Sequence, residues 1–304
     1  MKTMKKFFAV IGLFFLIGVS ACSPVKPAQT GGLKVLAVES FLGDIAQNVA
    51  GDRVKVDILI PTGLDPHSFE PTPQDVARIA DSSVLIVNGF GLEGWLNTVL
   101  NSAGGSHLVI MATNGLSSRK PRPGEPVGVV DPHFWLDPTK VVTYVENIRS
   151  GLIQADPGGA TIYNRNAATY EAKLKDLDQW VKTQVSQITP EKRLLVTNHE
   201  SFGYYADHYG FQIVGTIIPS VSPDASPSAQ QLAQLVDQIK KTGAPAIFLE
   251  TGSNPQLAQQ IAQETRVKVI TEFYTHSLTP ASGPAPTYLD MIRFDTTVIV
   301  QALK

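Results

Sequence analysis

GATIYNRNAATYEAKLKDLDQWVKTQVSQI, residues 159–188, is the stretch on which the reading of the fold turns. Tyr163, Ala167, Tyr170, Leu174, Leu177, Val181 and Ile188 recur at helical spacing, with Lys, Asp and Gln between them. Asp156-Pro157 precedes the run and Pro190 closes it, as expected at a helix start and stop. At 1.5 Å per residue such a helix spans roughly 45 Å, too long for an ordinary helix inside a small sheet domain. A coiled-coil partner helix is one alternative, but the apolar stripe has no long continuation. The spacing predicts a rigid connector between two lobes.

On either side of it, short β-branched runs alternate with helical patterns. Upstream, residues 33–38 (LKVLAV), 54–60, 84–87 and 108–110 read as strands, and 41–49 and 74–80 as helices. Downstream, 193–196, 213–218, 246–249 and 267–270 read as strands. Helices are expected at 201–209, 229–241 and 256–265, the first two ended by Gly210 and Gly243. The segment 287–303 has helical spacing through Met291, Phe294, Ile299 and Leu303. This alternation indicates βα units around mostly parallel sheets. The expected fold is α/β, with two Rossmann-like lobes at 33–155 and 190–304 joined by one long helix within 156–189.

The N-terminus carries a different signal. Lys2, Lys5 and Lys6 precede an almost wholly apolar run, 7–19, shorter than the about 20 residues of a membrane span. Val19-Ser20-Ala21-Cys22 then matches the bacterial lipobox. Cys22 is the only cysteine, so it has no disulfide partner, and lipidation explains both its presence and its isolation. We expect a lipoprotein signal peptide over 1–21 and a Pro/Gly-rich tether over 22–32. The folded part is then extracytoplasmic, held to the cell membrane through a lipid anchor only. The chain has 25 basic and 27 acidic residues, and removing the three lysines of the leader takes its net charge from −2 to −5. That balance argues against nucleic acid and anionic lipid surfaces as partners. The remaining length allows two modest domains, each with its own core.

Of six histidines, four lie at or beyond the end of a candidate strand. His67 sits in Leu64-Asp65-Pro66-His67-Ser68-Phe69, His133 in Asp131-Pro132-His133-Phe134-Trp135, His199 in Thr197-Asn198-His199-Glu200, and His276 in Phe273-Tyr274-Thr275-His276. Open parallel sheets bind ligands outside the carboxyl ends of their strands. Two of the four come from each side of the connector, so a cleft between lobes can gather them around one ion. Imidazole nitrogens suit a tetrahedral zinc site with bonds of about 2.0–2.1 Å. Proline before and aromatics after His67 and His133 fix the backbone and shield the rings, which a ligand needs. His107 and His208, in a Gly-rich loop and a helix turn, are read as structural or surface residues.

With these motifs in hand, the chain resembles the metal-binding lipoproteins of the zinc/manganese ABC-importer family, the cluster A-I substrate-binding proteins. The resemblance covers nearly all of the chain after the tether. It rests on Asp-Pro-His-x-Phe-Glu-Pro-x-Pro at 65–73, Pro-His-Phe-Trp-Leu-Asp-Pro at 132–138 and Thr-Asn-His-Glu-Ser-Phe-Gly-Tyr at 197–204. It implies ligands at His67 and His133, and at His199 a position that is His in zinc-type and often Glu in manganese-type members. The family's fourth ligand is usually an Asp in a Tyr-x-Asp-Ser-Leu-like context. Here that context reads Tyr274-Thr275-His276-Ser277-Leu278, so His276 replaces the carboxylate. If His276 points away, Glu250 or water takes the fourth place. Many zinc-specific members also carry a long His- and acid-rich loop, whereas 115–130 here contains SSRKPRPGEP and no histidine.

Four neutral imidazoles tilt the expected cargo towards Zn2+ over Mn2+, because carboxylate oxygens suit manganese. They leave the ion's charge uncompensated, so carboxylates should back the rings: Glu250 first, then Asp65, Asp131 and Glu200. The function expected is capture of a divalent metal ion and delivery to an ABC-importer permease by a monomer, without catalysis. Affinity should fall steeply below about pH 6 as the imidazoles protonate. The alternatives are a manganese/iron-type receptor of the same family or, from another class, a zinc hydrolase with Glu200 as base. A catalytic zinc keeps an open position, which four histidines would close.

Overall fold

The computed structural model describes residues 32–104, 106–122 and 128–304. The leader, Cys22 and all of the tether but Gly32 lie outside the described residues. Every strand and helix below falls between Val35 and Leu303. Among the described residues, no helix is long and apolar enough to cross a membrane.

The first lobe runs β1 (Val35–Ala37), α1 (Ser40–Ala50), β2 (Val56–Ile58), α2 (Pro73–Asp81), β3 (Val84–Val87), α3 (Leu96–Ala103) and β4 (Leu108–Met111). Its strands pair in parallel in the order β2-β1-β3-β4. All four residues of β3 are buried, as expected for a central strand covered on both faces. Thr72 starts α2 with a capping box, its hydroxyl accepting from Asp75 N–H while Asp75 accepts from Thr72 N–H.

Two helices then follow, α4 (Pro138–Ala155) and α5 (Ala160–Val185), joined by only residues 156–159. The sequence reading contained α5 but not α4. The short connection makes them antiparallel neighbours, so α5 has a packing partner and is not a free-standing strut. Its apolar stripe is buried as read, from Tyr163 to Val181 and again at Ile188 just past its end, with Val185 buried between them. Asn166 on α5 donates to Val49 O of α1 at 3.1 Å, whereas Asp178, two turns from its end, accepts from Tyr209 in the second lobe at 3.2 Å. The helix therefore touches both lobes along its length, and one apolar core runs from Val35 and Phe41 through Leu177 to Tyr205 and Met291.

The second lobe repeats the first: β5 (Leu194–Thr197), α6 (Gly203–Tyr209), β6 (Gln212–Thr216), α7 (Ala229–Thr242), β7 (Ala246–Phe248), α8 (Gln256–Thr265), β8 (Lys268–Ile270) and α9 (Tyr288–Leu303). Its parallel order is β6-β5-β7-β8. Gly210 and Gly243 end α6 and α7 with φ of 74° and 73°, left-handed values that glycine adopts without a Cβ clash. The last helix returns to the first lobe, where Tyr288 N–H donates to Asp44 Oδ2 of α1 at 2.9 Å.

Candidate metal centre

Both sheets reverse their strand order between two central strands, β1/β3 in one and β5/β7 in the other, and the crevice beyond such a switch point is where ligands bind. His199 lies two residues beyond β5 and Glu250 two beyond β7. His67 follows β2, His133 lies in the connection after β4, and His276 follows β8. The structure brings all four histidines together, with ligand atoms within 4.8 Å of one another.

The two Asp-Pro-His turns of the first lobe are built alike. Asp65 Oδ1 accepts from His67 N–H and Asp131 Oδ1 from His133 N–H, each at 3.0 Å. The carbonyl of the intervening proline is held by a first-lobe side chain, Pro66 by Trp95 Nε1 at 3.0 Å and Pro132 by Asn88 Nδ2 at 3.1 Å. The turns differ at the ring. Asp131 Oδ1 also takes His133 Nδ1 at 2.8 Å and pairs through Oδ2 with Arg119 Nε at 2.6 Å. Asp65 instead spends its second oxygen on Ser68 Oγ at 3.1 Å. Because His133 gives Nδ1–H to Asp131, its Nε2 keeps a lone pair facing the centre.

That Nε2 lies 3.3 Å from His67 Nε2, 3.2 Å from His276 Nε2 and 3.3 Å from His199 Nε2. A tetrahedron with metal–nitrogen bonds of 2.0–2.1 Å has edges of about 3.3 Å. The three separations around His133 fall at that edge length, and all four ligand atoms lie within 4.8 Å of one another, a spacing that one ion can bridge.

Glu250 backs the other two rings. Its Oε1 lies 2.5 Å from His199 Nδ1, without the alignment of a hydrogen bond, and its Oε2 lies 3.7 Å from His276 Nδ1. His276 Nδ1 also meets Thr275 Oγ1 at 2.8 Å. Of the carboxylates expected near the site, Asp65, Asp131 and Glu250 face it. Glu200 is half-buried in the turn after β5, where its N–H donates to Ser220 O at 2.9 Å.

His276 is also stapled to the opposite lobe. Trp135 Nε1 donates to Thr275 O at 2.7 Å, Gly63 N–H to Ser277 Oγ at 2.7 Å, and Leu278 N–H to Ser40 Oγ at 2.9 Å. In return Tyr204 of α6 donates to Asp131 O at 2.8 Å. Trp135 was expected to shield the His133 ring but not to bond across to the second lobe, and Arg119 and Thr275 are contributors that the sequence reading did not single out. Arg119 stands in the same 115–130 stretch that was noted only for lacking histidine.

Electrostatics separates the four rings. Burial, reinforced by His133 and His199, pushes the His67 pKa down to about 2. Burial also lowers His133, against the opposing pull of Asp131, and lowers His276 well below its ordinary value. For His199 burial acts in the same direction, but Glu250, Asp65 and Asp131 outweigh it and raise its pKa. The other two histidines lie away from the centre. His107 contacts Ser82 O at 2.9 Å and Gly104 O at 3.1 Å, and His208 Nε2 contacts Asp178 Oδ1 at 2.7 Å.

Two parallel-sheet lobes on a shared helix, closed around convergent imidazoles, define a binding protein for a divalent metal ion. The family model described as "Zinc-uptake complex component A periplasmic" (ZnuA) matches residues 35–302. Manganese-binding lipoprotein MntA of Halalkalibacterium halodurans is 34% identical over 272 residues, 90% of this chain and 89% of the relative. Iron-binding protein YfeA of Yersinia pestis is 31% identical, over 97% of this chain and 94% of the relative. The manganese-bound periplasmic metal-binding protein of Candidatus Liberibacter asiaticus superposes with a TM-score of 0.80 at 32% identity, covering 90% of this chain and all of that one. The chain belongs to the ZnuA family of metal ABC-importer substrate-binding proteins, a non-enzymatic, extracytoplasmic family. It is the solute-binding component of such an importer and binds a divalent metal.

Proposed function

We propose that His67, His133, His199 and His276 hold one zinc ion as cargo for an ABC-importer permease, with Asp131 and Glu250 supplying the compensating charge. The observation that carries this reading is the set of three Nε2···Nε2 separations of 3.2–3.3 Å around His133. An all-imidazole donor set, with the three separations around His133 at the edge length of a zinc tetrahedron, favours zinc over manganese, whose ions prefer carboxylate oxygens and higher coordination. His276, where the family resemblance leads one to expect a carboxylate, is what tips the donor set.

The second reading is manganese or iron, and the relatives favour it: MntA and YfeA are named for manganese and iron, and the Liberibacter structure holds manganese. Competition separates the two. The chain from residue 23 onward, stripped and then offered equal zinc and manganese, should retain one zinc per chain, and His276→Asp should move the preference towards manganese. Retention of manganese by the parent chain in that competition would sink the zinc reading and leave the receptor function standing.

We further propose that the mature chain begins at Cys22 and is lipid-anchored. The lipobox and the lipoprotein relatives support this. Cys22→Ser should then shift the protein from the membrane to the soluble fraction.

A further inference from the structure

Beside the imidazoles lies a cavity of about 760 Å³, between the 62–68 turn of the first lobe and the loops after β7 and β8 of the second. Of the four histidines only His276 lines it, together with Glu250 and Asp65. Four nitrogens within 4.8 Å of one another enclose a bare ion, so coordination alone does not account for so large a space. An octahedral hexahydrate is about 7 Å across and displaces about 200 Å³, so it fits with its water shell intact.

Among the described residues, the lining carries Asp65, Asp224 and Glu250, and no lysine or arginine. A cleft of one sign with low-dielectric walls concentrates ions of the other. The depth is graded too: Asp224 and Gln256 are exposed, whereas Glu250 and His276 are each only 7% exposed. His133 and His199 have no exposure at all, so an ion cannot reach either ring directly from solvent.

We propose that this cavity is the vestibule through which the hydrated divalent cation reaches the site, with His276 and Glu250 as its inner gate. The cation is drawn in by Asp224 and loses water against Asp65 and Glu250. It then meets His276 before the three remaining imidazoles. The inference rests on the reading of the site as a metal receptor, and the acid lining disfavours an anionic organic chelate as the occupant.

The chain from residue 23 onward has no cysteine, so Gln256→Cys places a unique thiol at the vestibule mouth. Rapid mixing with zinc chloride can be followed by tryptophan emission, since Trp135 lies 5.2 Å from His133 between ring centres. A bulky maleimide on that thiol should slow zinc loading at least about tenfold while leaving one ion per chain at equilibrium. The unlabelled variant should load at the parental rate. Asp224→Lys should slow loading several-fold and flatten its dependence on ionic strength. Loading of the labelled chain at the parental rate would overturn the proposal and place entry elsewhere, for instance past the partly exposed His67. A parent chain that binds no ion at equilibrium would overturn the receptor reading itself.

Discussion

At the scale of single residues, the centre uses one carboxylate for two rings. Glu250 faces both His199 and His276, and carboxylates that orient metal-binding imidazoles are typically worth about 10–100-fold in affinity. Glu250→Gln should therefore weaken zinc binding by about that factor, measured by chelator competition, with stoichiometry unchanged. The pH response follows from the same geometry. His67, His133 and His276 have lowered pKa values and meet the ion neutral across the neutral range. His199 has a raised value, so below it the ring carries a proton that the ion must displace. Affinity should be full above the raised His199 value and fall about tenfold per pH unit below it, a slope of one proton. This is shallower, and begins higher, than the loss below about pH 6 expected from four independent imidazoles. Titrating the zinc dissociation constant from pH 5.5 to 8.5 tests it; a slope of three or four protons would contradict it. Gly203 matters for a steric reason, since a Cβ there would collide with the buried Arg119–Asp131 pair that orients His133. Gly203→Ala should cost metal affinity while leaving α6 itself intact. The convergence of the four histidines was legible because His67 and His133 sit in the local signature Asp-Pro-His and His199 and His276 each follow a strand. The carboxylates Asp65, Asp131 and Glu250 were expected behind the rings, but the groups that hold them were not: Arg119 reaches Asp131 from 12 residues away, and Ser201 Oγ, 49 residues from Glu250, donates to its Oε1 at 3.4 Å, and no local pattern encodes such pairs.

At the scale of elements, α5 is the shared structural member. Leu177 is fully buried in the core that joins the lobes, and truncating such a leucine typically costs about 2–5 kcal/mol. Leu177→Ala should lower the urea midpoint accordingly, and probes in both lobes should report the same shift. The stripe of α5 was readable because its apolar residues are well separated by Lys, Asp and Gln. That of α4 was not, although Val141, Tyr144, Val145, Ile148 and Leu152 are all buried on one side. Its run Val141-Val142-Thr143-Tyr144-Val145 consists of β-formers, and local preference there competes with the helix that tertiary packing selects. The short α3 escaped for another reason: only Leu96 of its eight residues is buried, so it shows almost no periodic face. Strand and helix cores such as Val84–Val87 and Gln256–Thr265 coincide with their expected spans because flanking turn residues bound them.

At the scale of the whole molecule, the two lobes are less separate than the alternation of the sequence implies. The core is continuous through α5, α9 bonds back to α1, and the loop carrying His276 is fastened to the first lobe at three positions, Thr275, Ser277 and Leu278. The division at 33–155, 156–189 and 190–304 is thus a proposal about folding units that a single urea transition would argue against. A centre assembled from both lobes also couples metal to stability: at 100 times the dissociation constant, one bound ion adds about 2.7 kcal/mol. The central claim is that four imidazoles, and no carboxylate, surround the cargo. X-ray absorption at the zinc edge of the loaded chain tests it most directly. Four nitrogen neighbours at about 2.0–2.1 Å, with the outer-shell scattering of four imidazole rings, is the predicted result. Three imidazoles with an oxygen neighbour would contradict it and move the fourth position from His276 to Glu250 or water.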